Sequence, residues 1–180
     1  MKTSAIIVSR NDNYGGHLNI TIGAQAANAI AYSKSGTANI INPTTATITV
    51  GAWNHLVVCR NTTSASAIFI NGSRVGTSTT DTNSFNAASY SIGYNNPNAY
   101  TGYISSLRVV VGTAVYDPTL TTCTVPTAPL TAITNTQLLL NFTNAGITDA
   151  TAKNDLETVG NAQISTTQSK FGGSSMHILS

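Results

Sequence analysis

Short segments of alternating apolar and polar residues run along most of this chain, and no long helical period interrupts them. Leu18, Ile20 and Ile22 alternate with Asn19 and Thr21, a pattern typical of a half-buried strand. Residues 24–31 fit a brief helix or, from Ile30 onward, a strand. Strands are predicted at 5–8, 18–22, 45–50, 53–60, 67–70, 89–94, 102–111 and 138–142. Turn signals recur about every 8–12 residues, which predicts an all-β sandwich or barrel.

One turn is specified by its sequence. Asn71-Gly72 lies between the apolar segment 67–70 and residues 73–76. Both residue types accept positive φ, and they favour a two-residue primed turn between antiparallel strands. The sequence therefore predicts a tight β-hairpin centred on Asn71 and Gly72.

The pattern weakens after Phe142. Residues 143–160 are typical of loops, 161–165 suit a short strand, and 171–179 predict a terminal strand after a glycine turn. We therefore expect a main β-sandwich over 1–142. The loop-rich segment 143–180 would complete the same sandwich or a neighbour's.

Composition narrows the function. Charged residues make up 8% of the chain, against about 25% in typical globular proteins. The basic residues are scattered and the net charge is +2, so we do not expect a nucleic-acid partner. No apolar stretch approaches the ~18 residues of a membrane span, so membrane insertion is not expected.

Carboxylates are too few and too dispersed for glycan cleavage, which needs an acid and a second carboxylate flanking one bond. Only Asp155 and Glu157 have same-face strand spacing, and they lie in a polar segment where a solvated pair is the better interpretation. We therefore expect a protein that is not an enzyme.

Two kinds of binding site remain to be weighed. Turn oxygens at Asp12 and Asn13 are candidates for binding Ca²⁺ as a cofactor, although turn asparagines more often serve backbone geometry. Aromatic rings and amides that could contact a sugar are concentrated in one segment, where packing within a sheet is the competing explanation. The glycan candidates are Tyr94, Asn95, Asn96, Asn98, Tyr100 and Tyr103.

Histidines and cysteines give no catalytic signature. His17, His55 and His177 are far apart in sequence, and we expect His55 to lie on a strand with its ring hydrogen-bonded near the core. Cys59 suits a small buried residue, and a bridge to Cys123 is left open.

Three segments carry a family resemblance: WNHLVVCR at 53–60, AIFING at 67–72 and GYISSLRVV at 102–110. In this order they resemble the laminin-G/concanavalin-A-like jelly-roll modules, and the resemblance implies an all-β, antiparallel, two-sheet jelly-roll sandwich. The resemblance implies structural roles for four residues. Trp53 would fill a gap between two sheets beside His55, and Asn71 and Gly72 would form the turn.

Further segments are similar to modules of bacteriophage virion proteins: GTAVY at 112–116, PTAPL at 126–130 and LLLNFT at 138–143. This resemblance implies a tail-fibre or capsid-surface protein, made in the host cytoplasm without a signal peptide. It would assemble with itself, a trimer being favoured, and with other virion proteins, and it leaves contact with host surface glycans open. The alternatives are a stand-alone lectin-like domain and, less favoured, a glycan hydrolase.

One segment departs from the family order. KFGGSSM, at 170–176, usually opens such a module but here lies near the C-terminus. The module therefore resembles a truncated or circularly permuted one. We expect the strand near 175–179 to fill an open sheet edge, in the same chain or by swapping into a neighbouring subunit.

Overall fold

A computed structural model describes residues 5–11, 18–22, 28–34, 39–45, 48–78, 80–85, 89–95 and 98–179. In these ranges the secondary structure is β-strand without α-helix, and every paired strand is antiparallel, which confirms the predicted all-β class. The strands are β1 (Ala5–Asn11), β2 (Leu18–Ile22), β3 (Ile30–Lys34), β4 (Asn39–Ile41), β5 (Leu56–Arg60), β6 (Ser66–Ile70), β7 (Ser73–Ser78), β8 (Ser89–Ile92), β9 (Tyr94–Asn95), β10 (Asn98–Ala99), β11 (Gly102–Ile104), β12 (Leu107–Val110), β13 (Thr136–Leu140), β14 (Gln163–Ser165) and β15 (Ser175–Ile178).

The chain divides into two compact units. The first contains residues 1–100 and 116–125, and the second contains 101–115 and 126–180. The chain thus passes from the first unit to the second and back before it finishes in the second. This division does not coincide with the predicted boundary after residue 142. The division of the chain into 1–142 and 143–180 stays a prediction.

In the first unit, two sheets share one apolar core. One sheet has the order β4-β3-β2-β1-β8 and the other has the order β5-β6-β7. Ile30, Tyr32 and Ile41 of the first sheet pack with Ile68 and Ile70 of the second, and all five side chains are buried. Burying a large aliphatic side chain contributes about 1.5–3 kcal/mol, so this contact holds the two sheets together.

The predicted hairpin is confirmed. Strands β6 and β7 pair through Ile70 and Ser73, and the turn residues Asn71 and Gly72 have φ values of 50° and 85°. Positive φ at both positions is the geometry for which Asn-Gly is favoured. Residues 121–123 then pair with the free side of β7, since Arg74 N donates to Thr121 O and Cys123 N donates to Gly72 O.

The second unit holds a three-stranded sheet in the order β11-β15-β14 and a two-stranded ladder of β12 and β13. Strand β15 lies between two strands of its own chain, with Tyr103 opposite His177 on one side and Gln163 opposite His177 on the other. The strand near the C-terminus therefore pairs within the chain. It covers Ser175–Ile178, a shorter segment than the predicted 171–179.

Several predicted strands were wrong in extent. Residues 48–50 are not a strand, residues 53–55 precede β5, and Gly93 separates β8 from β9. The segment 102–111 is two strands, because Ser106 has φ 54° and breaks the extended backbone between β11 and β12. Alternation marks where apolar residues fall, but it does not locate a backbone reversal that a single residue makes.

Candidate functional site

The predicted glycan segment forms a small hairpin in the first unit. Strands β9 and β10 pair Tyr94 with Ala99 and Asn95 with Asn98, and Tyr100 N donates to Gly93 O at 2.7 Å. The structure describes Asn95 and Asn98 by their backbone only, and Asn96 lies outside the described residues. The side chain of Tyr94 is 50% exposed, so its ring faces solvent from a backbone held at both ends of the hairpin.

The other two tyrosines have different surroundings. Tyr100 is half-buried, and burial raises the pKa of its hydroxyl. Tyr103 belongs to the second unit, where its ring stacks on that of His177 with centroids 4.2 Å apart and planes 7° from parallel. Of the three tyrosines among the predicted glycan residues, Tyr94 has the most exposed ring.

The weak Ca²⁺ candidates, Asp12 and Asn13, lie outside the described residues. Within the described ranges, no group of three or more histidine, cysteine or acidic side chains has the spacing to hold a metal ion. The described residues also contain no helix of the length and hydropathy that a bilayer crossing needs.

The structural residues of the family resemblance meet at one corner of the β5–β6–β7 sheet. Oδ1 of Asn71 accepts from His55 N at 2.8 Å, and Asn71 N donates to His55 O. Nδ2 of Asn71 donates to Oδ1 of Asn54, whose own Nδ2 donates to the carbonyl oxygens of Thr49 and Ala52. Two asparagine side chains therefore fasten the segment before β5 to the hairpin turn. Trp53, at the start of this segment, is half-buried.

His55 precedes β5 instead of lying on a strand, and its ring does not have the hydrogen bonding that the sequence predicted. The ring packs edge-on against Tyr116, with centroids 6.3 Å apart and planes at 71°. Nδ1 is buried without a hydrogen-bond partner in the described structure, and burial lowers the pKa of the imidazole. A neutral ring is favoured here, because a charged one would be desolvated with no acceptor at Nδ1.

In the second unit, the carboxylate of Asp149 stabilises a loop by accepting hydrogen bonds. Burial by itself would raise the pKa of Asp149, but hydrogen bonds from Thr151, Leu139 and Asn154 outweigh it and hold the pKa below its usual value. These bonds tie the loop after residue 148 to β13, since Leu139 N donates to Oδ1 at 3.0 Å. Asp155 and Glu157 are exposed and lie outside strands, as the sequence indicated.

In the first unit, Asp117 sits in a turn of its own. Its Oδ1 accepts from the hydroxyl of Thr119 at 2.7 Å and from Thr119 N at 2.9 Å, and these bonds lower the pKa of the carboxyl. An Asp that accepts from the residue two positions later is a common turn device. Asp117 is therefore accounted for by local structure.

The sequence did not identify Asp81, which is 1% exposed and the most deeply buried acid among the described residues. Oδ2 accepts from the hydroxyl of Tyr32 at 3.0 Å, and Oδ1 accepts from Nδ2 of Asn83 at 2.9 Å. Nη1 of Arg60 lies 3.4 Å from Oδ1. Three elements distant in sequence meet here, so no local motif could have revealed the cluster.

The two cysteines are free thiols in the first unit, and the bridge left open by the sequence is not formed. Burial, with a smaller contribution from nearby Cys123, raises the pKa of Cys59 to about 11. A thiol with so high a pKa is a poor nucleophile at neutral pH.

Comparison with known proteins gives one match. A family model described as Concanavalin A-like lectin/glucanases superfamily (Laminin_G_3) matches residues 1–114. The match includes the hairpin corner and the Tyr94 segment, and it ends before most of the segments that resemble virion modules. No curated protein and no solved structure matches the chain significantly.

Proposed function

The chain belongs to the Concanavalin A-like lectin/glucanases superfamily, and from this premise we propose that it is a non-catalytic glycan-adhesion module of a phage virion. The superfamily and the antiparallel all-β structure agree with a concanavalin-A-like jelly-roll fold. The superfamily contains both lectins and glucanases. Membership therefore does not distinguish binding from cleavage, and the distinction has to come from the residues of the site.

The exposed ring of Tyr94 carries the binding part of the proposal. It is 50% exposed and stands on a hairpin whose backbone is held by the β9–β10 pairing. An aromatic face on a rigid backbone can stack on the apolar face of a sugar ring with little loss of side-chain entropy. By residue type, Asn95, Asn96 and Asn98 of the same segment supply amides that can pair with sugar hydroxyls.

The described carboxylates favour binding over cleavage. Asp81, Asp117 and Asp149 accept hydrogen bonds from their own surroundings. A glycosidase needs one carboxyl kept protonated at neutral pH and a second that faces it across the substrate. The pKa values of Asp117 and Asp149 are lowered, which is opposite to what a general acid requires.

Support for a virion role comes from the segments at 112–116, 126–130 and 138–143 and from the low charge content. A surface rich in Thr, Ser and Asn with tight turns suits a module exposed outside a cell. In this role the chain assembles as a homo-oligomer, a trimer being favoured, next to other virion proteins. A stand-alone lectin-like domain is the second candidate.

The binding experiment is a glycan array read with wild type, Tyr94→Ala and Tyr90→Ala, with Ca²⁺ and again with EDTA. Tyr90 is the matched control because its side chain is 42% exposed in the same unit. We expect wild type and Tyr90→Ala to bind the same neutral glycans of the array, and Tyr94→Ala to lose binding of these neutral glycans. Equal binding by all three proteins, or no binding by wild type, would reject the Tyr94 site.

A second measurement separates the two candidates. Sedimentation equilibrium gives the mass of the assembly, which should be a multiple of the 18.6 kDa chain for the virion role. A monomer at all concentrations would favour the stand-alone lectin. Release of reducing ends from any bound polysaccharide would overturn the non-catalytic proposal.

A further inference from the structure

We propose that the polar pocket around Arg60 and Asp81 is a second binding site, which takes the carboxylate of an acidic sugar such as a uronic or sialic acid. The pocket has a volume of about 290 Å³, near the lower end of the ~300–1,000 Å³ typical of ligand sites. That size suits one sugar ring. All of the lining residues are polar, among them Arg60, Thr62, Asp81, Thr82, Asn83 and Ser84.

Hydrogen bonds hold Arg60 in place through one nitrogen of its guanidinium, and its other N–H groups are available to a ligand. Its Nη1 donates to Asn83 O at 2.6 Å and makes longer contacts with Asp81, at 3.4 Å to Oδ1 and 3.5 Å to the carbonyl oxygen. Its Cζ lies 5.6 Å from the ring centroid of Phe85. Every side-chain hydrogen bond that Arg60 makes to the described residues comes from Nη1, so Nε–H and the Nη2 hydrogens remain to bind a ligand.

This remaining edge determines the class of ligand. Nε–H and one Nη2–H point in parallel, and together they match the two oxygens of a carboxylate. The side chain is 36% exposed, so a ligand can reach it from solvent.

Asp81 fixes the position of Arg60 without neutralising it fully. The carboxylate is buried, and both of its oxygens already accept hydrogen bonds, from Tyr32 and from Asn83. The 3.4 Å contact with Arg60 is long for a charge-assisted hydrogen bond. The guanidinium therefore keeps electrostatic attraction for a ligand anion.

The rest of the pocket favours a sugar over a bare anion. The hydroxyl groups of Thr62 and Ser84 line the same pocket as Arg60, and sugar hydroxyls pair with such groups. A polyanion would require several clustered cations, and Arg60 is the one basic residue of the lining. One carboxylate and several hydroxyls on one ring satisfy both requirements.

The test is an NMR titration of wild-type protein with methyl β-glucuronide, its methyl ester and methyl β-glucoside. We expect the glucuronide to shift the Arg60 Nε–H signal and to bind at least about tenfold more tightly than the two uncharged sugars. N-acetylneuraminic acid serves as the second acidic probe. Equal binding of the three glucose derivatives would reject the carboxylate assignment, and no binding of either acidic probe would reject the site.

Variants test the geometry. Arg60→Lys keeps the charge and loses the parallel donors, so we expect binding of the glucuronide to weaken by about tenfold or more. Arg108→Lys in the second unit is the matched control and should leave binding unchanged. Because Arg60→Lys could loosen Asp81, a second pair keeps the network intact: Thr82→Trp, at an exposed lining position, should block the pocket, and Thr124→Trp, at an exposed position outside it, should not. Unblocked binding in Thr82→Trp would overturn the proposal.

This site is independent of the Tyr94 site. Tyr94→Ala should retain binding of the glucuronide, and Arg60→Lys should retain the glycan-array signal that depends on Tyr94. Failure of either site therefore leaves the other one standing.

Discussion

The hydroxyl of Tyr32 donates a 3.0 Å hydrogen bond to Oδ2 of Asp81, and this bond joins β3 to a loop 49 residues further along the chain. Both side chains are buried, at 3% and 1% exposed. Burial, followed by the neighbouring Asp81 carboxylate, raises the pKa of Tyr32, so the phenol stays protonated and remains a donor. The bond therefore places the carboxylate of Asp81 at the edge of the apolar core to which Tyr32 belongs.

Tyr32→Phe should lower the free energy of unfolding by about 1–3 kcal/mol, because it leaves a buried carboxylate oxygen without its donor. Urea denaturation at pH 7 measures the change. Tyr94→Phe, at a ring that is 50% exposed, is the control and should stay within about 0.5 kcal/mol of wild type. A Tyr32→Phe protein as stable as wild type would mean that water replaces the hydroxyl.

Gly72→Ala should destabilise the β6–β7 hairpin for two reasons. Residue 72 has φ 85°, and an added Cβ would lie 3.0 Å from Cys123 O and 3.1 Å from Cγ2 of Val125. Gly51→Ala is the matched control, since Gly51 has φ 76° and open space around it. We expect thermal unfolding to show a loss of about 1 kcal/mol for the control, from backbone strain, and a larger loss at position 72. Equal losses would show that the crowding is relieved without cost.

Asp149→Asn tests the loop clamp and the acid sensitivity of the second unit. Hydrogen bonds hold the pKa of Asp149 below its usual 3.8. The stabilisation from a lowered carboxyl pKa is fully present above the unfolded-state value and is lost as the pH falls through the folded-state value. At pH 7 the substitution should cost about 1–2 kcal/mol, a figure reduced for the partial exposure of the side chain.

Below about pH 4 the difference between wild type and Asp149→Asn should shrink, because the wild-type carboxyl then loses its advantage. Denaturation curves at pH 7 and pH 3 measure both values. Asp155→Asn, at an exposed loop position, should be neutral at either pH. A pH-independent difference would assign the effect to amide geometry instead of charge.

Cys59 should react slowly with iodoacetamide in the folded protein. A pKa of about 11 leaves on the order of 0.1% thiolate at pH 8, against about a quarter for an ordinary thiol. Peptide mass spectrometry should therefore show labelling of Cys59 about a hundredfold slower than in guanidinium chloride, where the chain is unfolded. The same rate in both conditions would contradict the burial of this thiol.

Local signals in the sequence were reliable where the structure is local. Asn71-Gly72 predicted its hairpin because both turn conformations are properties of those two residues. The apolar segment 67–70 predicted β6 for the same reason. The strand predicted at 53–60 begins three residues late, because Asn54 and Asn71 hold residues 53–55 by side-chain bonds that alternation does not report.

Long-range relationships were beyond the sequence. Asp81 appeared as one of six dispersed acids, and only the fold brings it beside Tyr32 and Arg60. The six glycan candidates were grouped because they are close in sequence. Tyr94 belongs to the first compact unit and Tyr103 to the second, since the chain enters the second unit at residue 101.

The pairing of residues 121–123 with β7 bears on how this chain should be cut into fragments. The family match ends at residue 114, yet the backbone of Gly72 and Arg74 is hydrogen-bonded to residues that come after it. A fragment trimmed to the matched range would leave backbone N–H and C=O groups of β7 unpaired. These groups could then pair with a strand of another molecule, which would promote aggregation. Residue 125, where the first compact unit finishes, is the safer place to stop.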